Sequence, residues 1–494
     1  MAHYISSEPQ INGEASPLLS HHSSDDEVFI VQDPDTEFGG TEARKNLERS
    51  LLRKLDLRMS ILILIYILNY IDRNNAAAAR LRGFEEDLHL KGSQFATILS
   101  SLYIGYIIMQ IPSNMFLNYI GKPSLYLPGC MVIWGVLSMA TGTTTSYFGA
   151  LCTRFFLGFV EAAFFPGALF LISVWYKRDE LSQRTAYLSS GSLIANATGS
   201  LIASGILGAT DNVFGVAAWR WLFFIEGGLT VLVAAFAFFC LPNFPETSSG
   251  WLTPAERMVA IRRMEEENTT ITSNSKELRV QLNGLISAVS DPRVWWLAAT
   301  LSCLTLSLSF NAYFPSIMAT IGYNPTITLL LCAPPWFVAT AIAIALSRHS
   351  DRTGERCWHI TFTMCIGILG FTLARSTMNA TIRYISLFMM AQSYAGHICF
   401  LAWASGSVSQ TPAKRAVALA LMNTISSLGN VFGSYIWPTT WGPEYAPSFA
   451  ICTFASALTL AMSWMLRKHL ATLNNTAAKK EALNNEAEGY RYLL

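Results

Sequence analysis

The sequence is poor in charged residues. Only 14% of its 494 residues are Asp, Glu, Lys or Arg, whereas soluble proteins contain about 25%. The 34 basic and 33 acidic residues nearly cancel, which leaves a net charge of +1 at pH 7. This balance argues against a nucleic-acid-binding protein, because such a protein presents a strongly basic surface to its partner. The apolar content, 52% of the residues, excludes a chain that is disordered throughout.

Signatures of catalytic and metal-binding proteins are also lacking. The nine cysteines form no Cys-x-x-Cys pair, and most of them lie in apolar runs, where cysteine packs as a small hydrophobic residue. The sequence contains no His-Glu-x-x-His string, and the apolar runs hold no cluster of histidines. We therefore expect no catalytic residue, no metal site and no cofactor, and we predict that the protein is not an enzyme.

Twelve apolar runs of membrane-spanning length follow one another along the chain. A helix of about 20 apolar residues is long enough to cross the hydrocarbon core of a bilayer. Numbered as spans 1 to 12, the runs lie near residues 58–79, 95–116, 124–143, 147–171, 186–208, 219–241, 294–319, 326–347, 358–375, 381–404, 414–437 and 446–467. Lys and Arg crowd the segments before span 1, between spans 4 and 5, and between spans 8 and 9. Because basic residues favour the cytosolic side, both termini and the central loop are predicted to be cytosolic.

The two halves of the chain repeat one pattern. Each half has six spans and a basic turn after the fourth, Lys177-Arg178 in the first half and Lys414-Arg415 in the second. This layout is typical of a transporter built from two parallel repeats, with its substrate site between them at the bilayer midplane. The predicted fold class is an all-α integral membrane protein with twelve transmembrane helices in two six-helix bundles. The predicted domains are a disordered cytosolic N-terminal tail (1–54), an N-terminal bundle (55–244), a cytosolic linker with a surface helix (245–292), a C-terminal bundle (293–468) and a cytosolic C-terminal tail (469–494).

Four charged residues lie inside the spans of the first half. Asp72 and Arg73 are in span 1, and Arg154 and Glu161 are seven residues apart on one face of span 4. A charge at the centre of a membrane helix costs about 2.5–3.5 kcal/mol on insertion scales. The two arginines suit an anionic substrate, since a guanidinium binds a carboxylate through two parallel hydrogen bonds. The two acids suit proton coupling, because a carboxyl group in a low-dielectric site can exchange a proton near neutral pH. The alternative is a fixed ion-pair lock between the two spans.

These charged residues lie in strings that resemble the major facilitator superfamily, and within it the fungal allantoate-permease branch of the anion:cation symporters. The resemblance extends from about residue 55 to residue 468. The matching strings are Leu68-Asn69-Tyr70-Ile71-Asp72-Arg73-Asn74-Asn75, Gln110-Ile111-Pro112-Ser113-Asn114, Arg154-Phe155-Phe156-Leu157-Gly158-Phe159-Val160-Glu161-Ala162, Trp175-Tyr176-Lys177-Arg178-Asp179-Glu180, Trp219-Arg220-Trp221-Leu222-Phe223-Phe224-Ile225-Glu226-Gly227 and Lys414-Arg415-Ala416-Val417-Ala418. The resemblance implies two helical bundles and alternating access. It also implies substrate binding by Arg73 and Arg154 and proton coupling by Asp72 and Glu161.

Further polar residues in the spans extend the list of site candidates. Tyr70 stands beside the charged pair of span 1 and is a candidate hydrogen-bond donor to a carboxylate. The candidates from the second half are Asn311 in span 7 and Asn423 in span 11, for which plain interhelical hydrogen bonding is the alternative. Secondary candidates are Glu226, as a partner of an arginine or as a coupling acid, together with Gln392 and Ser393 in span 10.

The function expected from the sequence is proton-coupled import of a small organic anion, vitamin-like or ureide-like, across a fungal plasma membrane. The expected partners are the anion, protons and the lipid bilayer, with no nucleic acid, and the protein is expected to be a monomer. One alternative is export of a secondary metabolite. Another is a vacuolar carrier, because residues 14–19 have the form of an acidic dileucine sorting signal. A remote alternative is a nutrient sensor that binds without transport.

Overall fold

The structure is a computed structural model that describes residues 36–245, 250–269, 286–408, 412–484 and 491–494. The regular secondary structure in these ranges is helical throughout. The proposed sorting signal at residues 14–19 lies outside the described residues. Contacts divide the chain after Asn46, and residues 47–494 form one compact unit. The two predicted six-helix bundles both lie in that unit, and their separation remains a prediction.

The helices follow the order of the twelve predicted spans. Those of the first half are Thr41–Ala79, Gln94–Ile120, Pro123–Gly142, the pair Tyr147–Glu161 and Phe164–Trp175, Arg178–Ala209 and Ala218–Cys240, with a short helix Phe84–Asp87 after span 1. Those of the second half are Pro292–Ser307 followed by Phe314–Ala319, Pro325–Thr353, Cys357–Ser376, the pair Ala380–Ala391 and Ser393–Ser407, Pro412–Gly433 and Ala446–Asn484. A 3-10 segment, Leu308–Tyr313, joins the two parts of span 7.

Ten of the helical segments in the described ranges are long and apolar enough to cross a membrane. The helix of span 2 is also long and apolar, whereas charged and polar residues reduce the hydropathy of the span 1 helix. Span 1 carries its charged pair and three asparagines between Asn69 and Asn75. The polar side chains that matter to the site are thus the ones that weaken the membrane signal of their own helix.

The first helix begins before the predicted span. It starts at Thr41, so residues 41–54, which the sequence placed in a disordered tail, are helical. Leu51 of this extension and Leu55, directly after it, are 1% and 0% exposed. Their spacing of four residues puts both side chains on one face of the helix, and burial of that face accounts for the order of the segment.

Helix packing repeats between the two halves. Span 3 packs against span 6 and span 9 against span 12, and span 2 packs against span 4 as span 8 packs against span 10. Between the halves, span 5 packs against span 8, and span 11 against span 2. This correspondence is expected of two parallel repeats.

We call the end of the helices at the loops 80–93, 210–217 and 320–324 the outer end, after the predicted orientation, and the opposite end, at the linker, the inner end.

Two glycines bring spans 2 and 4 into backbone contact. A Cβ atom on Gly158 would stand 1.9 Å from the carbonyl oxygen of Leu102, and one on Gly105 would stand 2.2 Å from that of Phe155. Only residues without a side chain permit this approach. The contact fixes the position of span 4, which carries Arg154 on the outer side of Gly158 and Glu161 on the inner side.

The helix Pro254–Thr269 of the linker is fixed to the first half by two ion pairs at the inner end. Lys54 of span 1 lies 2.7 Å from the Glu256 carboxylate. Arg263 is 1% exposed and donates to both carboxylate oxygens of Glu180 at 2.7 Å. One nitrogen, Nη2, makes both contacts, and hydrogen bonds between charged groups are stronger than neutral ones, so they hold the linker helix against the helix of span 5.

We expect the Glu256 contact to persist at all physiological pH values. Burial alone would favour the neutral carboxyl, but hydrogen bonds from Lys54, the Thr253 backbone and Ser50 outweigh it and lower the pKa of Glu256 to about 2. Because the unfolded-state value is about 4.3, the stabilisation is present above that pH and is lost as the pH falls toward 2. Glu256→Gln should therefore increase the hydrogen-exchange rate of the linker-helix amides, relative to the wild type at the same pH, by the same factor at pH 5.5 and at pH 8. An increase confined to pH 8 would contradict this assignment.

Candidate functional site

Arg73 and Glu161 form an ion pair between spans 1 and 4. The Nε and Nη2 atoms of Arg73 donate to the same carboxylate oxygen of Glu161, Oε2, at 3.1 and 2.9 Å. The Glu161 side chain is fully buried, whereas that of Arg73 is 12% exposed. The second oxygen, Oε1, has no hydrogen-bond partner among the described residues. The pair therefore neutralises two of the four predicted intramembrane charges. It leaves part of the Arg73 side chain exposed and the Oε1 atom of Glu161 without a hydrogen bond from the part of the chain that the structure describes.

Three tyrosine rings surround the Arg73 guanidinium. Its central carbon lies 5.2 Å from the ring centre of Tyr70, 5.0 Å from that of Tyr106 and 6.0 Å from that of Tyr103. Distances of this size permit cation–π attraction. Tyr70 was predicted at the site, but Tyr103 and Tyr106 of span 2 were not. Their spacing of three residues on one helix face was the available signal.

The guanidinium of Arg154 is hydrogen-bonded to span 1. Its Nη1 donates to the backbone carbonyl of Asp72 at 3.0 Å, and its Nη2 donates to the side-chain oxygen of Asn75. The residue is 1% exposed, and its guanidinium lies over the ring of Phe223. In this conformation Arg154 holds the centre of span 1 in place, and its predicted contact with substrate stays a prediction.

The carboxylate of Asp72 is hydrogen-bonded to spans 3 and 6. Its carboxylate oxygens accept hydrogen bonds from the hydroxyl groups of Ser138 and Thr230, both at 2.8 Å. It is 0% exposed. Adjacent residues on a helix point about 100° apart, and the hydrogen bonds of Asp72 and Arg73 accordingly go to different helices. The structure thus separates the predicted acid pair, with Glu161 beside Arg73 and Asp72 among hydroxyl groups.

The second half contributes polar residues around the same region. Asn423 of span 11 lies within interacting range of the Tyr106 hydroxyl, which places it next to the rings around Arg73. Asn311 of span 7 lines a cavity with Asn74, and it is close to Tyr394 of span 10. Both asparagines that the sequence singled out therefore face the centre of the protein.

The secondary candidates divide into two groups. Glu226 is 3% exposed and lines the same cavity as Asn311. Gln392 instead donates to the backbone carbonyl of Thr363 in span 9, and Ser393 packs against Gly367 of that span. The structure does not bring Gln392 and Ser393 to the cavity, because the break between the two helices of span 10 turns them toward span 9.

Hydrogen bonds join the two halves near the outer end. Arg82 donates to the Thr326 hydroxyl at 2.9 Å, and Ser204 donates to the Thr326 carbonyl at 2.8 Å. The hydroxyl of Tyr435 donates to that of Thr97 at 3.2 Å. Spans 5 and 8 and spans 2 and 11 are thus tied together on that side. These contacts close the space between the two halves at the outer end. The Arg73 site lies further toward the inner end than these contacts.

Comparison with known proteins assigns the family. The model of the family described as Major Facilitator Superfamily matches residues 62–434. The chain belongs to the Major Facilitator Superfamily. Among its relatives is an MFS-type transporter, cnsO, of Penicillium expansum, which is 30% identical over 462 residues, or 90% of this chain and 87% of the relative. A putative tartrate transporter of Agrobacterium vitis is 29% identical over 82% of this chain and 91% of its own length.

Solved structures of transporters share the major facilitator fold. A bacterial homologue of the lysosomal transporter Spinster, inward-facing and unoccupied, aligns with a TM-score of 0.65 over 84% of this chain and 98% of its own, at 17% identity. A D-xylose-proton symporter aligns with a TM-score of 0.63 over 84% of this chain and 97% of its own, at 14% identity. These two structures support the fold, and the described residues are helical. The family and the relatives named as transporters show that the protein is a multi-pass membrane transporter and not an enzyme.

Proposed function

We propose that this major facilitator protein imports a small organic anion together with protons, and that Arg73 and Glu161 perform both tasks. The observation that carries the proposal is the pair itself. A partly exposed guanidinium within span 1 is bound by one oxygen of a buried carboxyl group and surrounded by tyrosine rings. Ionisable groups are retained inside membranes chiefly on substrate and proton pathways.

The geometry supports a coupled exchange at Arg73. A substrate carboxylate that binds the guanidinium competes with Glu161 for the same donors, Nε and Nη2. Two carboxylates beside one guanidinium in a buried site repel each other, so the displaced Glu161 is favoured to take up a proton. Anion binding and protonation then become one event. Arg154 keeps span 1 in position through the Asp72 carbonyl, and Asp72 is a second candidate for the transported proton.

The names of relatives support the anionic substrate class. Two proteins of Agrobacterium vitis at 27–29% identity are named putative tartrate transporters, and tartrate is a small dicarboxylate. The solved symporter of D-xylose and protons shares only the fold with this chain. Membership of the allantoate-permease branch, location in the plasma membrane, cytosolic termini and a monomeric state belong to the same proposal.

Uptake measurements test the direction and the substrate class together. Labelled tartrate, nicotinate, pantothenate and allantoate are offered to cells that lack their own carriers, in media of pH 5 and pH 7.5. We expect accumulation of at least one of them, stronger at pH 5. Absence of uptake with the protein at the cell surface would contradict import and favour export of a metabolite. Protein found only at the vacuole would contradict the plasma-membrane assignment.

Glu161→Gln should separate coupling from binding. The amide mimics a protonated carboxyl but cannot release a proton, so we expect uphill accumulation to be lost while exchange of internal for external anion continues. Uptake by the variant should no longer differ between the two pH values. The matched control is Glu355→Gln, which removes the partner of Arg467 at the inner end and should leave both activities unchanged. Uphill accumulation by Glu161→Gln equal to that of the wild type would contradict the proposal.

A further inference from the structure

A second polar cavity lies beside the Arg73 site, on its outer side. Asn74 of span 1 lines both: the smaller pocket with Arg73, Tyr103 and Arg154, and the larger cavity with Glu226. The larger cavity lies between spans 1, 5, 6, 7 and 8. Its remaining polar lining comes from Asn75, Asn196, Ser200 and Asn311, and its apolar lining includes Phe314 and Trp336.

Three buried polar side chains in this cavity have unused hydrogen-bonding atoms. Within the described part of the chain, the carboxyl oxygens of Glu226 and the amide nitrogens of Asn75 and Asn196 have no partner at hydrogen-bond distance. The Asn75 amide lies within interacting range of the Glu226 carboxyl group. The three residues are 3%, 3% and 7% exposed. A buried donor or acceptor without a partner destabilises a protein, and native structures contain few of them. Such atoms grouped around one cavity are therefore expected to have a partner in the working cycle.

The side-chain oxygens of the two asparagines already accept hydrogen bonds, and this limits which further hydrogen bonds the residues can make. The Asn75 oxygen accepts from Arg154, and the Asn196 oxygen accepts from the Asn74 amide at 2.8 Å. Both asparagines can therefore only donate further hydrogen bonds. Glu226 accepts in either protonation state, and the nearby guanidinium of Arg154 donates to span 1 and not to it. The cavity thus presents the Glu226 acceptor of span 6, with the Asn75 amide beside it, opposite the Asn196 donor of span 5.

We propose that this cavity is a second substrate subsite, which binds a neutral group that both donates and accepts hydrogen bonds, of carboxamide type. The group's N–H donates to Glu226, and its carbonyl oxygen accepts from Asn196, while the Asn75 amide orients the Glu226 carboxyl group. This inference rests on the proposed function, because the substrate's carboxylate is assigned to Arg73 and Asn74 lies between the two subsites. Glu226 is then a specificity-determining residue and not a partner of an arginine.

The test compares isosteric ligands that differ only in the amide nitrogen. Glutaramate and 5-oxohexanoate both carry a carboxylate and a carbonyl, but a methyl group replaces the NH₂ group in the second. Butyramide and 2-pentanone form the same comparison without a carboxylate. Binding to the purified full-length protein is followed as protection against thermal unfolding. We expect each amide to bind about tenfold or more tightly than its ketone, since a site built for a donor rejects the analogue that lacks it.

Variants localise the effect to the cavity. Glu226→Leu should abolish the preference for amides over ketones, and Asn196→Leu should weaken both members of each pair by removing a donor to the shared carbonyl. Equal binding of amide and ketone to the wild-type protein would overturn the subsite even if neither variant folds. Retention of the amide preference by a folded Glu226→Leu protein would overturn it as well.

The two pairs also separate this inference from the proposed function. If butyramide is preferred over 2-pentanone while the carboxylate of glutaramate adds no affinity, the subsite stands and anion capture at Arg73 is wrong. If glutaramate and 5-oxohexanoate bind equally, and Arg73→Lys weakens both, anion capture stands and the subsite is wrong.

Discussion

Arg73→Ala should lower uptake of the transported anion by about 100-fold or more, because it removes the donor pair that binds the carboxylate. The substitution also leaves Glu161 buried without its charge partner. Removing one member of a buried ion pair destabilises a protein by about 3–5 kcal/mol. Both effects act in the same direction on uptake, so they are distinguished by variants that preserve the charge balance.

Two variants separate binding from stability at this pair. Arg73→Lys keeps the positive charge but loses the planar fork, and we expect near-normal thermal stability with uptake reduced about tenfold or more. The double variant Arg73→Gln with Glu161→Gln removes both charges, and it should fold more stably than Arg73→Ala without recovering uptake. The measurements are anion uptake and the unfolding temperature in detergent. Uptake restored by the double variant would show that Arg73 has only a structural role.

Gly158→Ala should be the most damaging substitution away from the charged residues. The new Cβ would lie 1.9 Å from the Leu102 carbonyl oxygen, and that atom belongs to the backbone of a packed helix, so spans 2 and 4 must separate. Forcing extra volume into a well-packed contact costs about 1–3 kcal/mol and occasionally more. We expect a reduced unfolding temperature and a loss of uptake, since Glu161 moves with span 4.

The matched control is Gly205→Ala in span 5, where an added Cβ meets no atom within 4 Å. It makes the same chemical change in another membrane helix and should leave stability and uptake near those of the wild type. Equal unfolding temperatures for the two variants would contradict the close backbone contact between spans 2 and 4.

The fold was largely predictable from the sequence because it depends on two simple signals. Helix length in a bilayer is set by hydrocarbon thickness, so apolar runs report the spans directly. The signal weakened at span 1, which carries the charged pair and three asparagines. The early start of the first helix at Thr41 was missed because the stabilising contacts of Leu51 and Leu55 are tertiary, and a polar segment does not reveal them.

The site was predictable in composition and only partly in geometry. Arg73 and Glu161 could be identified from the sequence, because an unpaired charge inside a membrane helix carries a large free-energy cost and usually marks a functional site. Which acid pairs with which base depends on helix rotation, and the sequence did not indicate that Asp72 points to hydroxyl groups and Arg154 to the backbone of span 1. Uncharged polar residues give a weaker signal, so the spacing of Tyr103 and Tyr106 on one helix face was overlooked and Asn196 was recognised only in the structure.

The central claim is that anion binding at Arg73 and protonation of Glu161 are one event. It is tested most directly by adding tartrate to the purified protein in weakly buffered solution near neutral pH and measuring the protons taken up. The account predicts uptake of about one proton per bound anion and none in Glu161→Gln. Anion binding to the wild-type protein without proton uptake would contradict it.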